Sequence, residues 1–517
     1  MKKIFLLLAA AALLTATGCE DLDQAPISSG SVPTFYKSAD DFNQALNATY
    51  STLRSWPDRT LTMSETRSDN IYGVSTQGIR TWEPINNFSL GVVANEYPAD
   101  AWSADYLAIY RANVLLDQLE QNGTVLTDAA RKSTEAQARF LRAFYYFDLV
   151  RYFGRVPLVD KPLEPQDVAK LGRAPVADVY SLIVSDLQNA AANLPVSYAA
   201  ADAGRVTSGA AKSLLALVYM TRSGDTYGGI QGPGLGTNDY AAALGLLNEV
   251  IASGQYQLIT AAGTSPNAYA NVFSYTNESN NGNREVIFDV QYISGGVGLG
   301  GSFPSILVTN NYFTSIGVGT TFGTGDELRP ASNSLLNSYA TGDLRKGVNF
   351  QVGYTAGTAV ETRAAFKKYI NGALRGTTRT DWPINFIVLR YADVLLLKAE
   401  CLLRSGGSQS EALGLVNQIR RRAYGLSITA PSPVADLTSV NLDQLLEERR
   451  REFAGEGIRW HDLVRTGRMV SVMNAWITAD DTNNRIRKPL NANDVLYPVP
   501  QQEMAASSYS YEQNPGY

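Results

Sequence analysis

The sequence predicts a mainly α-helical fold, with helix pairs packed against an irregular, loop-rich region that holds a few short strands. Three observations predict it. Apolar residues recur at helical spacing through residues 99–254 and again from about 386 to 424. Between those stretches, residues 255–385 lose the period and fill with glycine, asparagine and threonine. Within that region one segment, Glu285 to Tyr292, alternates and is β-branched, as a strand requires.

The elements follow in order. From Ala99 to Gln121, Trp102, Tyr106, Ile109, Tyr110, Val114 and Leu116 keep helical spacing, and Gly123 ends the run. A second helix is expected from Asp128 to Phe153, with Thr127 as its N-cap and Gly154 just past its end. A third runs from Val176 to Leu194 and stops at Pro195. A fourth follows Thr207, and a fifth starts after Asn238 and ends at Gly254. Helices resume at about Ile387, where Val388, Tyr391, Ala392, Leu395, Ala399 and Leu402 share a face. Further helices cover Glu411 to Arg422 and Leu442 to Phe453.

Laid together, the helices repeat. Ala399, Leu402 and Gly406 have the same spacing as Ala216, Tyr219 and Ser223, and as Ala143, Tyr146 and Val150. A small residue where two helices cross, with a larger one a turn on, is tetratricopeptide grammar. A loop insertion, roughly Asp225–Asn238, splits one pair. Stacked helix pairs form concave surfaces that bind partners.

Composition narrows the function. The 517 residues carry a net charge of −5, which gives no basic field for nucleic acid. One histidine, His461, and two cysteines, Cys19 and Cys401, exclude Cys/His zinc sites and a disulfide framework. The 28 tyrosines suit a core, and they also suit flat polar ligands such as sugars. Gly296, Gly298 and Gly301 spell G-x-G-x-x-G, but Ser302-Phe303-Pro304 follows where a dinucleotide site needs a helix. No P-loop occurs, and no cofactor or metal is expected.

The amino terminus sets the address. Lys2 and Lys3 precede an apolar run from Ile4 to Leu14, too short to span a bilayer and suited to a secretory signal. Ala16-Thr17-Gly18-Cys19 resembles a bacterial lipobox, with cleavage before Cys19 and lipid on it. Residues 1–18 are therefore expected to be a signal peptide, and 19–31 a polar, acylated tether. The early acids Glu20, Asp21 and Asp23 resemble the surface-export signal of Bacteroidota-type lipoproteins.

A set of motifs runs along the mature chain: Ala138 to Val159 (ARFLRAFYYFDLVRYFGRVPLV), Gly204 to Lys212, Leu389 to Glu400 (LRYADVLLLKAE), Asn417 to Ala423, Glu448 to Phe453, Arg459 to Arg465 (RWHDLVR), Leu496 to Pro500 and Gln513 to Tyr517. Together they resemble the SusD/RagB-type family of nutrient-uptake outer-membrane lipoproteins. The resemblance implies one compact unit over 32–517, with about four tetratricopeptide-like pairs on one side and loops on the other. It implies capture of oligosaccharide at the outer cell surface, delivery to a SusC-like TonB-dependent transporter, and no catalysis. The alternatives are a helical-repeat scaffold lipoprotein and a lipoprotein glycan hydrolase. The second would need two carboxylates about 5–9 Å apart, which nothing in the sequence singles out.

A sugar site needs rings for CH faces and planar polar groups for hydroxyls. Residues 65–88 carry that mix, and the family's loop after its first helix lines the glycan site. The candidates are Asp69, Asn70 and Arg80 for hydroxyls and Tyr72 and Trp82 for stacking, with Tyr292 from the middle region. Glu65, Arg67, Gln77, Asn86 and Asn87 share the stretch, and Tyr275, Tyr312, Phe313 and Phe322 are weaker. The charge-dense Glu447–Glu452 stretch is expected to tie its helix to Arg459 and Asp462, with a Glu447–Arg451 pair on the helix surface. Cys401 is expected to be a buried small side chain and His461 a structural hydrogen-bonder.

Overall fold

In the computed structural model, residues 35–75, 80–168, 170–275, 283–319, 323, 327–507 and 510–517 are described. Cys19, the signal peptide, the tether, Gln77 and Phe322 lie outside them. The chain is mainly helical, as the apolar spacing requires. The principal helices are α1 (Ala39–Tyr50), α2 (Glu96–Asn122), α3 (Asp128–Phe153), α4 (Val176–Asn193), α5 (Ser208–Arg222) and α6 (Tyr240–Ala252). After the middle region come α7 (Tyr391–Arg404), α8 (Gln409–Ala423), α9 (Leu442–Glu452), α10 (Arg459–Arg465) and α11 (Met469–Asp480).

Helices α2 to α8 pack on one another in chain order, and α1 lies against α2 and α3. Short connections turn the chain back on itself, so neighbours in sequence become neighbours in the stack. Ala143, Ala216 and Ala399, which the repeated spacing assigns to the crossings, are each fully buried. Thr127 caps α3 by accepting from the Ala130 N–H at 3.2 Å. Gly154 ends α3 at φ +68°, and a Cβ there would sit 2.0 Å from the Gln231 carbonyl oxygen, so only glycine fits.

The middle region adds strands. β1 (Val286–Val290) pairs antiparallel with β4 (Phe386–Arg390), with Val290 opposite Phe386. Phe288 of β1 meets Phe140 and Phe144 of α3 edge-on at 5.4 and 6.3 Å. The strand is therefore buried on both faces, against the repeat stack. β2 (Phe350–Ala356) and β3 (Ala359–Phe366) form a hairpin closed by Phe350 against Phe366 at 5.0 Å. The helix expected from Ile387 begins only at Tyr391. Residues 386–389 are a continuous apolar run, whose period cannot separate strand from helix, and pairing with β1 decides it.

The insertion in the α5–α6 pair folds back onto its neighbours. Tyr180 Oη donates to the Pro233 carbonyl at 2.7 Å, and Tyr227 Oη to that of Val464 at 2.8 Å. Among the described residues no helix is long and apolar enough to cross a membrane.

Candidate functional site

The residues that the sequence nominates part company in the structure. Trp82 is 1% exposed, with the Arg329 guanidinium 5.3 Å over its ring. Gly73 lies so close on that ring that a Cβ there would sit 2.2 Å from it. The expected stacking platform is therefore core. The sequence misleads here because what buries the ring, Arg329 and Gly73, is distant from it or lacks a side chain.

Asp69 and Asn70 are buried as well, in a node joining residues 65–70 to α9 and α10. Arg459 donates to both Asp69 oxygens at 2.8 and 2.9 Å, and Arg450 lies 3.1 Å away. Burial works to raise the Asp69 carboxyl, but Arg450 and Arg459 together hold it below its ordinary range. Asn70 donates to Glu65 at 2.8 Å and accepts from Arg450 at 2.8 Å. The Glu65 carboxylate takes the N–H groups of Gly455 and Gly457 at 2.9 and 3.0 Å. These groups have no capacity to spare for hydroxyls, so the expectation that they face a ligand is corrected.

Tyr292 is buried too. Its hydroxyl donates to the Arg54 carbonyl at 2.6 Å and its ring packs on Phe303 at 5.7 Å. Arg67 is sealed between Phe88, Trp460 and Tyr497, its guanidinium 4.3, 4.9 and 4.3 Å over their rings. Tyr312 and Phe313 are core, and Tyr275 is spent on the Tyr369 carbonyl.

Of the six principal candidates, Tyr72 and Arg80 stay at the surface, both partly exposed. Tyr72 Oη donates to Asp481 at 2.9 Å, and its ring meets Trp476 edge-on at 6.5 Å. Asp481 is itself fixed by the N–H groups of Arg485 and Ile486, both at 2.9 Å. The tyrosine is thus a pre-oriented ring beside the exposed Asn483, Asn484 and Arg485. A ring held in place with planar amides and a guanidinium nearby is what a sugar face and its hydroxyls require. Nothing in the hydrophobic pattern separated Tyr72 from Trp82. The signal missed was the loop 481–485, far away in sequence.

The charge-dense stretch of α9 is structural. Glu452 is fully buried, binds Arg345 and Arg390 at 2.9 and 2.7 Å, and also pairs with Arg422. Arg449 joins Asp393 and Asp462 at 2.6 and 2.8 Å, and Arg459 reaches Glu447 at 3.2 Å. The expected Glu447–Arg451 pair is replaced: Arg451 pairs with Glu448 at 2.7 Å. His461 packs on Tyr152 at 4.9 Å, and burial, then Arg151, lowers its pKa well below the usual value. A neutral imidazole sealed in the core has no access to substrate. Cys401 is buried and its thiol is pushed up to about 12, so it is inert. The G-x-G-x-x-G loop is held by Asp381, which accepts from the N–H groups of Gly295 and Gly296 at 3.2 Å.

Comparison with known proteins agrees along the chain. The family profile described as "SusD family" matches residues 355–517, and that described as "Starch-binding associating with outer membrane" matches 22–220. SusD-like protein P25 of Formosa agariphila is 26% identical over 95% of this chain and 94% of its own. Surface glycan-binding protein A from Bacteroides uniformis superposes with a TM-score of 0.71 at 26% identity, over 92% of this chain and 99% of that one. A laminarin-binding SusD-like protein gives 0.72 at 26%, over 93% and 100%.

Proposed function

The chain belongs to the SusD-type family, and on that premise we propose that it is a surface-exposed, lipid-anchored glycan-binding protein of the outer membrane. It captures oligosaccharide and delivers it to a SusC-like TonB-dependent transporter. The single observation that carries this reading is the near full-length likeness to a laminarin-binding protein and to a surface glycan-binding protein. The lipobox-like Ala16 to Cys19 supports the anchor, and the association of the matching profile with the outer membrane supports the address.

Of the nominated residues, Tyr72 and Arg80 make the ligand contacts, and Trp82, Asp69 and Asn70 hold the loop from behind. The protein does no chemistry on the glycan. Isothermal titration of the purified chain with laminarin and starch oligosaccharides tests the reading. Binding is expected for at least one of them, with no shorter products on incubation. Tyr72→Ala should weaken it about five- to thirty-fold, the cost of one stacking ring in a shallow site. Binding to neither would overturn the glycan assignment, and unchanged affinity in both Tyr72→Ala and Arg80→Ala would remove the site.

A further inference from the structure

A second recess, separate from the Tyr72 face, carries its own rings and its own carboxylate. Trp102, Tyr106 and Tyr110 follow one another at i, i+4 and i+8 on α2 and so share a face. With Pro157 and Tyr511 they wall a cavity of about 240 Å³, and Glu503 lies in the same wall.

Two of the rings are fixed in place. Trp102 packs on Phe153 at 5.1 Å and on Tyr106 at 5.3 Å. The Tyr106 hydroxyl is tied to the Pro157 carbonyl at 2.6 Å. Tyr110 stands at the surface, 49% exposed.

Glu503 is partly buried, and among the described residues no lysine or arginine pairs with it. Burial raises its pKa, opposed by a hydrogen bond with Trp102. Arg173, close enough to act on Tyr511, is spent on the carbonyls of Arg155, Phe153 and Glu512 and on the side chain of Asn514. A desolvated carboxylate without a cation is a strong acceptor for hydroxyl donors.

Rings alone would suit an alkyl or aromatic group, and a carboxylate alone would suit a cation. The two together suit a polyol with one apolar face, a pyranose. The cavity is small beside the roughly 300–1,000 Å³ of drug-sized sites, which limits it to a single ring.

We propose that the Trp102–Tyr110 face of α2, with Glu503 and Tyr511, is a second saccharide site that takes one pyranose ring. The ring stacks at Tyr110 and Tyr106, and Glu503 accepts from two adjacent hydroxyls. The choice of ligand class rests on the glycan-binding reading above; the geometry does not.

The test uses the purified chain with D-glucose, D-galactose and D-mannose, each alone, read by tryptophan fluorescence and calorimetry. At least one should bind. Glu503→Gln, which keeps shape and removes charge, should weaken it about tenfold or more. Tyr110→Ala, which removes an exposed ring, should weaken it about fivefold.

Absence of monosaccharide binding in the parent chain overturns the second site. So does parent-like affinity in Tyr110→Ala, whose exposed position spares the fold. If oligosaccharides still bind, that failure leaves the glycan reading standing; if none bind either, both fall.

Discussion

Helices α3 and α9 are both buried, and the balance of means differs. The buried part of α3 is mainly apolar, with Phe140, Leu141, Ala143, Phe144, Tyr145 and Tyr146 sealed by the hydrophobic effect and Arg142, Asp148 and Arg151 as its paired charges. In α9 the buried residues include Glu448, Arg449, Arg450 and Glu452, and it is held by compensation of charge. An apolar seam loses free energy in proportion to the area a mutation exposes. A charged seam fails when one partner goes, because the others stay behind in a dry interior. The C-terminal region is therefore the more brittle of the two, although its sequence is the more polar.

The largest expected effect follows from that. Glu452→Ala removes one carboxylate from the set that neutralises Arg345, Arg390 and Arg422, leaving Glu285, Glu448, Glu456 and Asp343 to hold three buried guanidiniums, and should cost about 3–5 kcal/mol, read by urea denaturation. A loss under 1 kcal/mol would mean that the network is no more brittle than the apolar seam. The acid limb of stability should show the same node. Burial disfavours the ionised Glu452, but Arg422, Arg390 and Arg345 pull it from 4.5 to about 2. Asp462 falls likewise from 3.8 to about 2 under Arg449 and Arg465. Folded values below unfolded ones mean that this stabilisation is complete above pH 4.5 and is lost as pH falls toward 2. Asp58 opposes it above that window, since burial raises it from 3.8 to about 6 and stability is regained as pH drops through that range. Melting followed from pH 7 to pH 2 should rise slightly as pH falls through about 6 and then fall steeply below about 4.5.

Next comes Trp82→Ala, expected to cost about 3–5 kcal/mol as a cavity in the core. After correction for folded fraction, glycan affinity should stay within about twofold, since other groups make the contacts. A binding loss with unchanged melting would restore Trp82 to the ligand face.

This residue marks how far the sequence could be read. Local signals carried α3 to the residue, since Thr127 and Gly154 act within one turn of its ends. They failed at residues 386–390, where pairing with a strand a hundred residues upstream sets the state. They also passed over the β2–β3 hairpin, whose outward residues blur the alternation. At the site the composition of 65–88 was right for a sugar, but burial is decided by partners remote in sequence. Arg329, Arg450, Arg459 and the loop 481–485 sort Trp82, Asp69 and Asn70 inward and leave Tyr72 out.

The repeat crossings are the third way to sharpen the contrast. Ala143→Leu, Ala216→Leu and Ala399→Leu each force a larger side chain into a fully buried crossing and should cost about 1–3 kcal/mol in chemical denaturation. These losses should be smaller than that of Glu452→Ala, because packed apolar helices can shift apart slightly while buried guanidiniums short of one carboxylate cannot reach water. Unchanged melting in all three would argue that the shared spacing is coincidence.

The smallest effects are expected at the helix caps, where the two regions can be compared on one scale. Thr127 caps α3, a helix of 26 residues whose first turn is largely exposed. Asn441 caps α9, a helix of 11 residues, through a box in which Asn441 and Gln444 each accept from the other's backbone N–H. Losing a cap to alanine costs about 0.5–2 kcal/mol. In α3 fraying stops within an exposed turn, far from the aromatic half, so Thr127→Ala should lie at the low end. In α9 one frayed turn reaches Leu445 and Leu446, both buried, and loosens the helix just ahead of Glu448 and Arg449. Asn441→Ala should therefore cost more, near about 2 kcal/mol. Urea denaturation of the two variants side by side measures the difference. Equal losses would show that the charged seam is rigid enough to hold its helix without the cap, and would remove the claim that it is the more brittle region.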